Sequence, residues 1–139
     1  MNIAACPMCQ RRNNDSDLRV IELRHSFVTL NRDQSFPGYT LLFTKRHVTE
    51  LFHLGAQERS ELMDEVSRVA EALYTIFQPD KINYELLGNM VPHIHWHIVP
   101  RFVSDPLWPR PIWSEPHEEK FLSANEYRCR AELIQKALI

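Results

Sequence analysis

The sequence has no long apolar run that could anchor it in a membrane. No stretch of the 139 residues approaches the roughly 20 apolar residues that a membrane-spanning helix needs. The first residues, from Met1 to Cys6, also lack the charged segment followed by an apolar segment that marks a secretory signal. We therefore expect a cytoplasmic protein with no membrane partner.

The sequence also lacks an excess of charge of either sign. Sixteen Lys and Arg residues stand against eighteen Asp and Glu residues, which leaves a formal net charge of -2. Such a surface creates no strongly basic field for the phosphate backbone of a nucleic acid, so nucleic acid is not an expected partner. A small anionic substrate is compatible with this balance, because a local site can attract what the whole surface does not.

Cysteine is scarce, with three residues in the chain. Two of them form the pair Cys6-x-x-Cys9, which in a reducing compartment indicates metal binding or redox chemistry before a structural disulfide. The pair alone is a weak signal, because a tetrahedral metal site needs two more ligands and an unligated thiol pair is the alternative. Cys129 stands apart and is expected to be a buried thiol.

The chain length fits one domain, which we predict to span residues 1–139. Residues 1–18 form an N-terminal arm that carries the paired cysteines. The one marked shift in composition lies at 104–116, where four prolines and two tryptophans occur. The Pro/Trp-rich segment 104–122 is therefore predicted to contain neither a regular helix nor a central strand.

Four segments have the composition of β-strands, with β-branched and aromatic residues between turn signals. They are residues 19–30, 39–44, 81–87 and 93–101. The turn-forming residues Pro37 and Gly38 lie between the first two segments, which predicts that these two form an antiparallel pair.

Two helices are predicted around these strands. From Gln57 to Phe77 apolar residues recur at helical spacing opposite a charged face, and Pro79 follows the end of the pattern. The second helix occupies 123–139, where the Ser123 hydroxyl can cap and Glu126 can close a capping box. Strands on both sides of one long central helix, followed by a C-terminal helix, indicate an α+β fold with a mostly antiparallel sheet.

Three histidines alternate with apolar residues at His93, His95 and His97. In a strand these three side chains share one face, while Ile94 and Trp96 point to the other. A chain of this histidine content contains such a triple by chance in about 2% of cases, so coincidence explains it poorly. A single strand histidine is more often structural, but three on one face suit nucleophilic attack, proton transfer, phosphate binding or metal ligation.

The segment Pro92 to Arg101 resembles the signature of the histidine triad (HIT) family, in which histidines alternate with hydrophobic residues. Segments 26–32, 37–42 and 45–48 resemble the strand, turn and strand that build the nucleotide pocket in that family. The resemblance implies a HIT-like fold. It also implies a nucleotide hydrolase or transferase that acts at the α-phosphate of a dinucleoside polyphosphate or nucleoside phosphoramidate through a covalent nucleotidyl-histidine.

The resemblance assigns roles to individual residues. His95 maps to the nucleophile, His97 to the histidine that contacts the phosphate and assists proton transfer, and His93 to the orienting member. Asn31 aligns with the residue that binds the ribose hydroxyls, with a loop-capping asparagine as the alternative. Asn89 is a candidate donor to the phosphate, although it stands where many members carry the longer glutamine.

The resemblance also implies a structural zinc site. Zinc-bearing members of the family are similar to this chain in their N-terminal CxxC pair and in two further histidines, which here gives the ligands Cys6, Cys9, His47 and His93. Such a closed shell leaves no open position on the metal, so catalysis would still depend on His95. No organic cofactor is implied.

Family members are commonly homodimers, so a homodimer that binds a small-molecule nucleotide is expected. An alternative is a non-catalytic nucleotide- or zinc-binding module. Two departures from the family pattern support it: Asn89 replaces glutamine, and Met90 stands where members of the Hint-like branch often carry a small hydroxyl residue. A third possibility is an interaction protein that docks a partner through Trp108 and Trp113. We favour the interpretation that these tryptophans cover the protein's own pocket or a dimer seam.

Overall fold

The computed structural model of this chain describes residues 2–139. Its three helices are α1 (Pro7–Asn14), α2 (Ala56–Phe77) and α3 (Ala124–Leu138). Its five strands are β1 (Arg19–Glu22), β2 (Ser26–Leu30), β3 (Thr40–Thr44), β4 (Lys81–Leu86) and β5 (His95–Arg101). The predicted α+β class is confirmed.

The five strands form one antiparallel sheet in the order β1-β2-β3-β5-β4. The predicted pairing of β2 with β3 is confirmed, and Gly38 adopts a φ of 90° in the turn before β3, a conformation that suits glycine. Strand β5 lies between β3 and β4, so the histidine-bearing strand is hydrogen-bonded on both sides. This position holds its side chains in fixed directions.

The segment 19–30 contains two strands rather than the single strand that we predicted. The break falls at Leu23 to His25, where no glycine or proline marks a turn. The backbone N–H of His25 donates instead to the carboxylate of Glu65 on α2, at 3.0 Å from Oε2. The Leu23 N–H also donates to Ser26 O at 2.8 Å, so the strands are separated by a tight turn that a contact with a distant helix stabilises, and local composition does not reveal this contact.

Helices α2 and α3 cover one face of the sheet and form the main core with it. The predicted apolar stripe of α2 is buried, including Leu62, Val66, Val69 and Leu73. Burying each of these side chains contributes roughly 1.5–3 kcal/mol. Helix α3 begins as predicted, because the Ser123 side chain accepts from the Glu126 backbone N–H and the Glu126 side chain accepts from the Ser123 N–H.

The other face of the sheet is covered by α1 and by the Pro/Trp-rich segment. Residues 104–122 contain no helix or strand, as predicted. The segment is anchored by the buried ion pair between Arg101 Nε and Asp105 Oδ2, at 2.8 Å, and it packs Leu107 and Ile112 against the sheet. The candidate site residues His95 and His97 lie on this face.

Within residues 2–139, no helix is both long and apolar enough to cross a membrane.

Cys129 on α3 is exposed, so the expectation of a buried thiol is wrong. The buried stripe of α3 runs through Tyr127, Ala131 and Ile134, and position 129 lies outside that spacing.

Candidate active site and metal-binding cluster

Strand β5 presents His95 and His97 on the face opposite the helices. They lie across from Phe43 and Leu41 of β3, and Trp96 between them enters the main core. The two imidazole centroids are 4.9 Å apart. As predicted, the two histidines therefore share one face of the strand, while the residue between them packs on the other.

Strand β5 begins at His95, two residues later than we predicted. The backbone of Ile94 is already bound on both sides, because its N–H donates to Val48 O at 2.9 Å and its carbonyl accepts from Thr44 N at 3.2 Å. His93 lies in the bend before this point. Its carbonyl is consequently directed to the side chain of His95 rather than to a neighbouring strand.

The His93 carbonyl determines which ring nitrogen of His95 carries the proton. His95 Nδ1 lies 2.8 Å from this oxygen. Because a carbonyl can only accept, Nδ1 carries a proton, and in the neutral ring the lone pair is therefore on Nε2. His95 is 6% exposed and lines a pocket, so the lone pair belongs to the one ring nitrogen that remains available there.

The ring of His93 is part of a cysteine-histidine cluster. Its Nε2–H donates to Thr44 O at 2.7 Å, which leaves the Nδ1 lone pair directed at Cys6 Sγ (3.4 Å) and Cys9 Sγ (3.5 Å). Burial lowers the pKa of His93 and favours the neutral ring. A neutral imidazole whose other N–H is bound to a backbone carbonyl is the usual form of a metal-ligating histidine.

The cluster consists of Cys6, Cys9, His47 and His93, the four residues that we predicted together. All four ligand atoms lie within 4.8 Å of one another, and Cys9 Sγ is 3.3 Å from His47 Nδ1. Tetrahedral zinc with sulfur and nitrogen ligands separates those ligands by about 3.3–3.8 Å. The donor set fits zinc, and the three sulfur–nitrogen distances of 3.3, 3.4 and 3.5 Å lie within this range.

His97 is held between two aromatic residues. Its Nδ1 lies 2.6 Å from the hydroxyl oxygen of Tyr39, and its ring meets the edge of Trp113 at 5.2 Å between centroids. Burial lowers the pKa of His97 to about 4, with smaller contributions from His95 and Arg11. At neutral pH the ring of His97 is therefore uncharged.

A pocket of about 380 Å³ opens over these two histidines. This volume is within the range of small-molecule sites. The predicted substrate-binding residues Asn31 and Asn89 both line it, from the loop after β2 and from the exposed loop after β4. The structure thus brings together His95, His97 and both asparagines.

Two side chains at this site were not predicted from the sequence. Arg11 lines the pocket from α1 with its side chain 16% exposed, and Tyr39 contacts His97. Arg11 could not be placed without α1, a helix that we did not predict although Pro7 after Cys6 is a signal for a helix start. Trp113 also lines the pocket, in agreement with the favoured interpretation of that tryptophan.

The lowered pKa of His97 predicts a loss of stability in acid. The folded pKa of about 4 lies below the ordinary value of 6.5, so between these values the unfolded chain binds a proton that the folded chain does not. The contribution of neutral His97 to the free energy of unfolding is complete above pH 6.5 and is lost as the pH falls toward 4. Urea unfolding should show that His97→Gln loses less free energy of unfolding than wild type between pH 7 and pH 4, by on the order of 3 kcal/mol. Equal losses in the two proteins would contradict this prediction.

Comparisons with known proteins agree with this arrangement. The chain matches the HIT domain family over residues 11–104. It is 30% identical over 89 residues to a bis(5'-nucleosyl)-tetraphosphatase (asymmetrical) of Schizosaccharomyces pombe, covering 60% of this chain and 48% of that protein. It is 24% identical over 103 residues to an adenosine 5'-monophosphoramidase of Saccharomyces cerevisiae, covering 70% of this chain and 63% of that protein.

A solved structure is similar along nearly the whole chain. The histidine triad protein of Bradyrhizobium japonicum is 30% identical, with a TM-score of 0.81 over 91% of this chain and 96% of that protein. In contrast, the chain spans only about half to two thirds of the length of the two hydrolases. The match over residues 11–104 covers more than half of this chain, which therefore belongs to the histidine triad family, a family that includes nucleotide hydrolases.

Proposed function

We propose that this protein is a nucleotide hydrolase or transferase that acts at an α-phosphate through a covalent nucleotidyl-His95. The substrate is a dinucleoside polyphosphate or a nucleoside phosphoramidate, the two classes named for its relatives in Schizosaccharomyces pombe and Saccharomyces cerevisiae. The observation that carries the proposal is the hydrogen bond from His95 Nδ1–H to the His93 carbonyl, which leaves Nε2 as the nucleophilic nitrogen.

The reaction has two displacements at the same phosphorus atom. In the first, the Nε2 lone pair of His95 forms a P–N bond with the α-phosphorus, and the bond from phosphorus to the leaving group breaks with its electron pair on that group. In the second, water or another acceptor forms a bond to phosphorus and releases its proton to solvent or to the departing first product, and the P–N bond breaks with its electron pair on Nε2, which restores His95. Splitting one difficult displacement into two steps is the advantage of covalent catalysis.

The remaining residues have supporting roles in this proposal. His97 directs a ring N–H toward the phosphoryl oxygens, where negative charge develops, and Asn89 is a second donor from the loop after β4. Asn31 Nδ2 donates to Asp33 O at 3.1 Å, so its Oδ1 is the atom that can accept from a ribose hydroxyl. Arg11 adds a positive charge to the same pocket.

We also propose that Cys6, Cys9, His47 and His93 hold a structural zinc ion. Two thiolates and two imidazoles form a closed shell, so bound zinc would supply rigidity and no activated water. Burial raises the pKa of the Cys9 thiol to about 11, with Cys6 adding to the shift, so metal binding would release protons from the thiols. His93 then has two functions, because its ring belongs to the metal cluster and its carbonyl orients His95.

The homodimer, the cytoplasmic location and the single domain over residues 1–139 stay predictions. One feature supports the homodimer: β4 is the last strand of the sheet, and its side chains Tyr84 and Leu86 are exposed together with the following Leu87. Apolar side chains along a free sheet edge form a surface that a second copy would cover.

The proposed function can be tested by intact-protein mass spectrometry. The protein is incubated briefly with a diadenosine polyphosphate or an adenosine phosphoramidate, quenched in denaturant at alkaline pH, where a P–N bond survives, and weighed, and product is measured in parallel. We expect a mass increase of one AMP unit and released product with at least one substrate. Nucleotide binding with neither adduct nor product would favour the non-catalytic binding module.

A further inference from the structure

The contact between Tyr39 and His97 has a defined donor. Tyr39 is 4% exposed, and the one hydrogen-bond partner of its hydroxyl within residues 2–139 is His97 Nδ1 at 2.6 Å. If His97 Nδ1 carried the proton, the tyrosine O–H would be a buried donor without an acceptor, which is costly. The arrangement that satisfies both groups has the tyrosine O–H donating to Nδ1.

This arrangement fixes the tautomer of His97. A neutral imidazole that accepts at Nδ1 carries its proton on Nε2. The ring of His97 lines the pocket and lies 4.9 Å from the ring of His95, so the nitrogen that Tyr39 does not occupy is the one available to a bound phosphate. The Tyr39 hydroxyl thus makes His97 a hydrogen-bond donor toward the phosphoryl oxygens, where negative charge develops.

The backbone of Tyr39 is held rigidly enough to perform this function. Its carbonyl accepts from Asn31 N at 2.9 Å and from Gln34 Nε2 at 2.8 Å, and its N–H donates to Phe36 O at 3.0 Å. Its ring packs in a buried cluster that includes Leu41. These contacts fix the hydroxyl relative to His97 before any substrate binds.

We infer that Tyr39 is a positioning residue that holds His97 as the Nε2–H tautomer, so that His97 donates a hydrogen bond to the phosphoryl group transferred to His95. The inference rests on the proposed function for its catalytic consequence. The tautomer itself is a property of the protein without substrate and can be measured separately. Failure of the proposed function and failure of this inference are therefore distinguishable.

The test compares Tyr39→Phe with Tyr127→Phe. The second variant is a matched control, because Tyr127 also has a buried ring and a hydroxyl that donates at 2.6 Å, to Arg32 O, outside the pocket. Ring nitrogens are observed by long-range proton–nitrogen NMR, with His97 assigned from its absence in His97→Gln. Values of kcat and KM are measured on the substrate that wild type turns over.

We expect wild type and Tyr127→Phe to show His97 protonated at Nε2 and unprotonated at Nδ1. In Tyr39→Phe the two nitrogen signals should move toward a mixture of tautomers, and kcat should fall about 10- to 100-fold with KM changed less than about threefold. A wild-type His97 protonated at Nδ1 would overturn the inference. Unchanged nitrogen signals in Tyr39→Phe, or an unchanged kcat, would also overturn it. If wild type forms neither adduct nor product, the proposed function fails and the NMR comparison alone decides the tautomer.

Discussion

His95→Ala should abolish both the nucleotidyl adduct and turnover, with kcat reduced by at least about 10⁴-fold. The variant lacks the Nε2 lone pair, and neither neighbouring histidine can replace it. The Nδ1 of His97 is occupied by Tyr39 and its Nε2 is protonated in our interpretation, while the ring of His93 is directed at the thiols of Cys6 and Cys9. Steady-state kinetics measure turnover, and intact-protein mass after an alkaline denaturing quench measures the adduct.

The matched control for this variant is His53→Ala, which removes an exposed imidazole outside the pocket. It should keep kcat within about twofold of wild type, because surface substitutions of this kind rarely disturb a distant site. Thermal unfolding of both variants shows whether the fold is retained. An AMP adduct on folded His95→Ala would show that another residue is the nucleophile and would refute the assignment.

The sequence predicted those parts of the fold that depend on local chemistry. The apolar spacing of α2, the capping box at Ser123 and the turn at Gly38 are properties of neighbouring residues, and the structure has each of them. The turn between β1 and β2 is stabilised instead by a contact with Glu65, which lies about forty residues further along the chain. Helix α1 was not predicted, because it has only eight residues and a weak apolar stripe.

The candidate site shows the same division. Alternation along β5 predicted the shared face of His95 and His97, since side-chain direction in a strand follows from sequence position. The grouping of Cys6, Cys9, His47 and His93 came from the family resemblance, because nothing local relates residues that are far apart in the chain. The roles of Tyr39 and Arg11 were not visible, since each depends on how separate segments fold onto the sheet.

The second large effect concerns the metal. Purified protein should contain about one zinc ion per chain, and Cys6→Ala should lose it. Cys129→Ala is the matched control, because it removes an exposed thiol outside the cluster. We expect elemental analysis to find zinc in wild type and in Cys129→Ala. Equal zinc content in Cys6→Ala and Cys129→Ala would refute the assigned ligands.

Loss of zinc should also weaken substrate binding through α1. The cluster joins Cys6 and Cys9, at the start of α1, to His93, which hydrogen-bonds His95, and the same helix brings Arg11 into the pocket. Cys6→Ala should therefore unfold at least about 10 °C below Cys129→Ala and should raise KM more than it lowers kcat, because His95 keeps its backbone hydrogen bond. Treating wild type with a chelator should reproduce both changes, and added zinc should reverse them. If the unfolding temperature falls but KM stays the same, zinc stabilises the fold without positioning α1 for substrate binding.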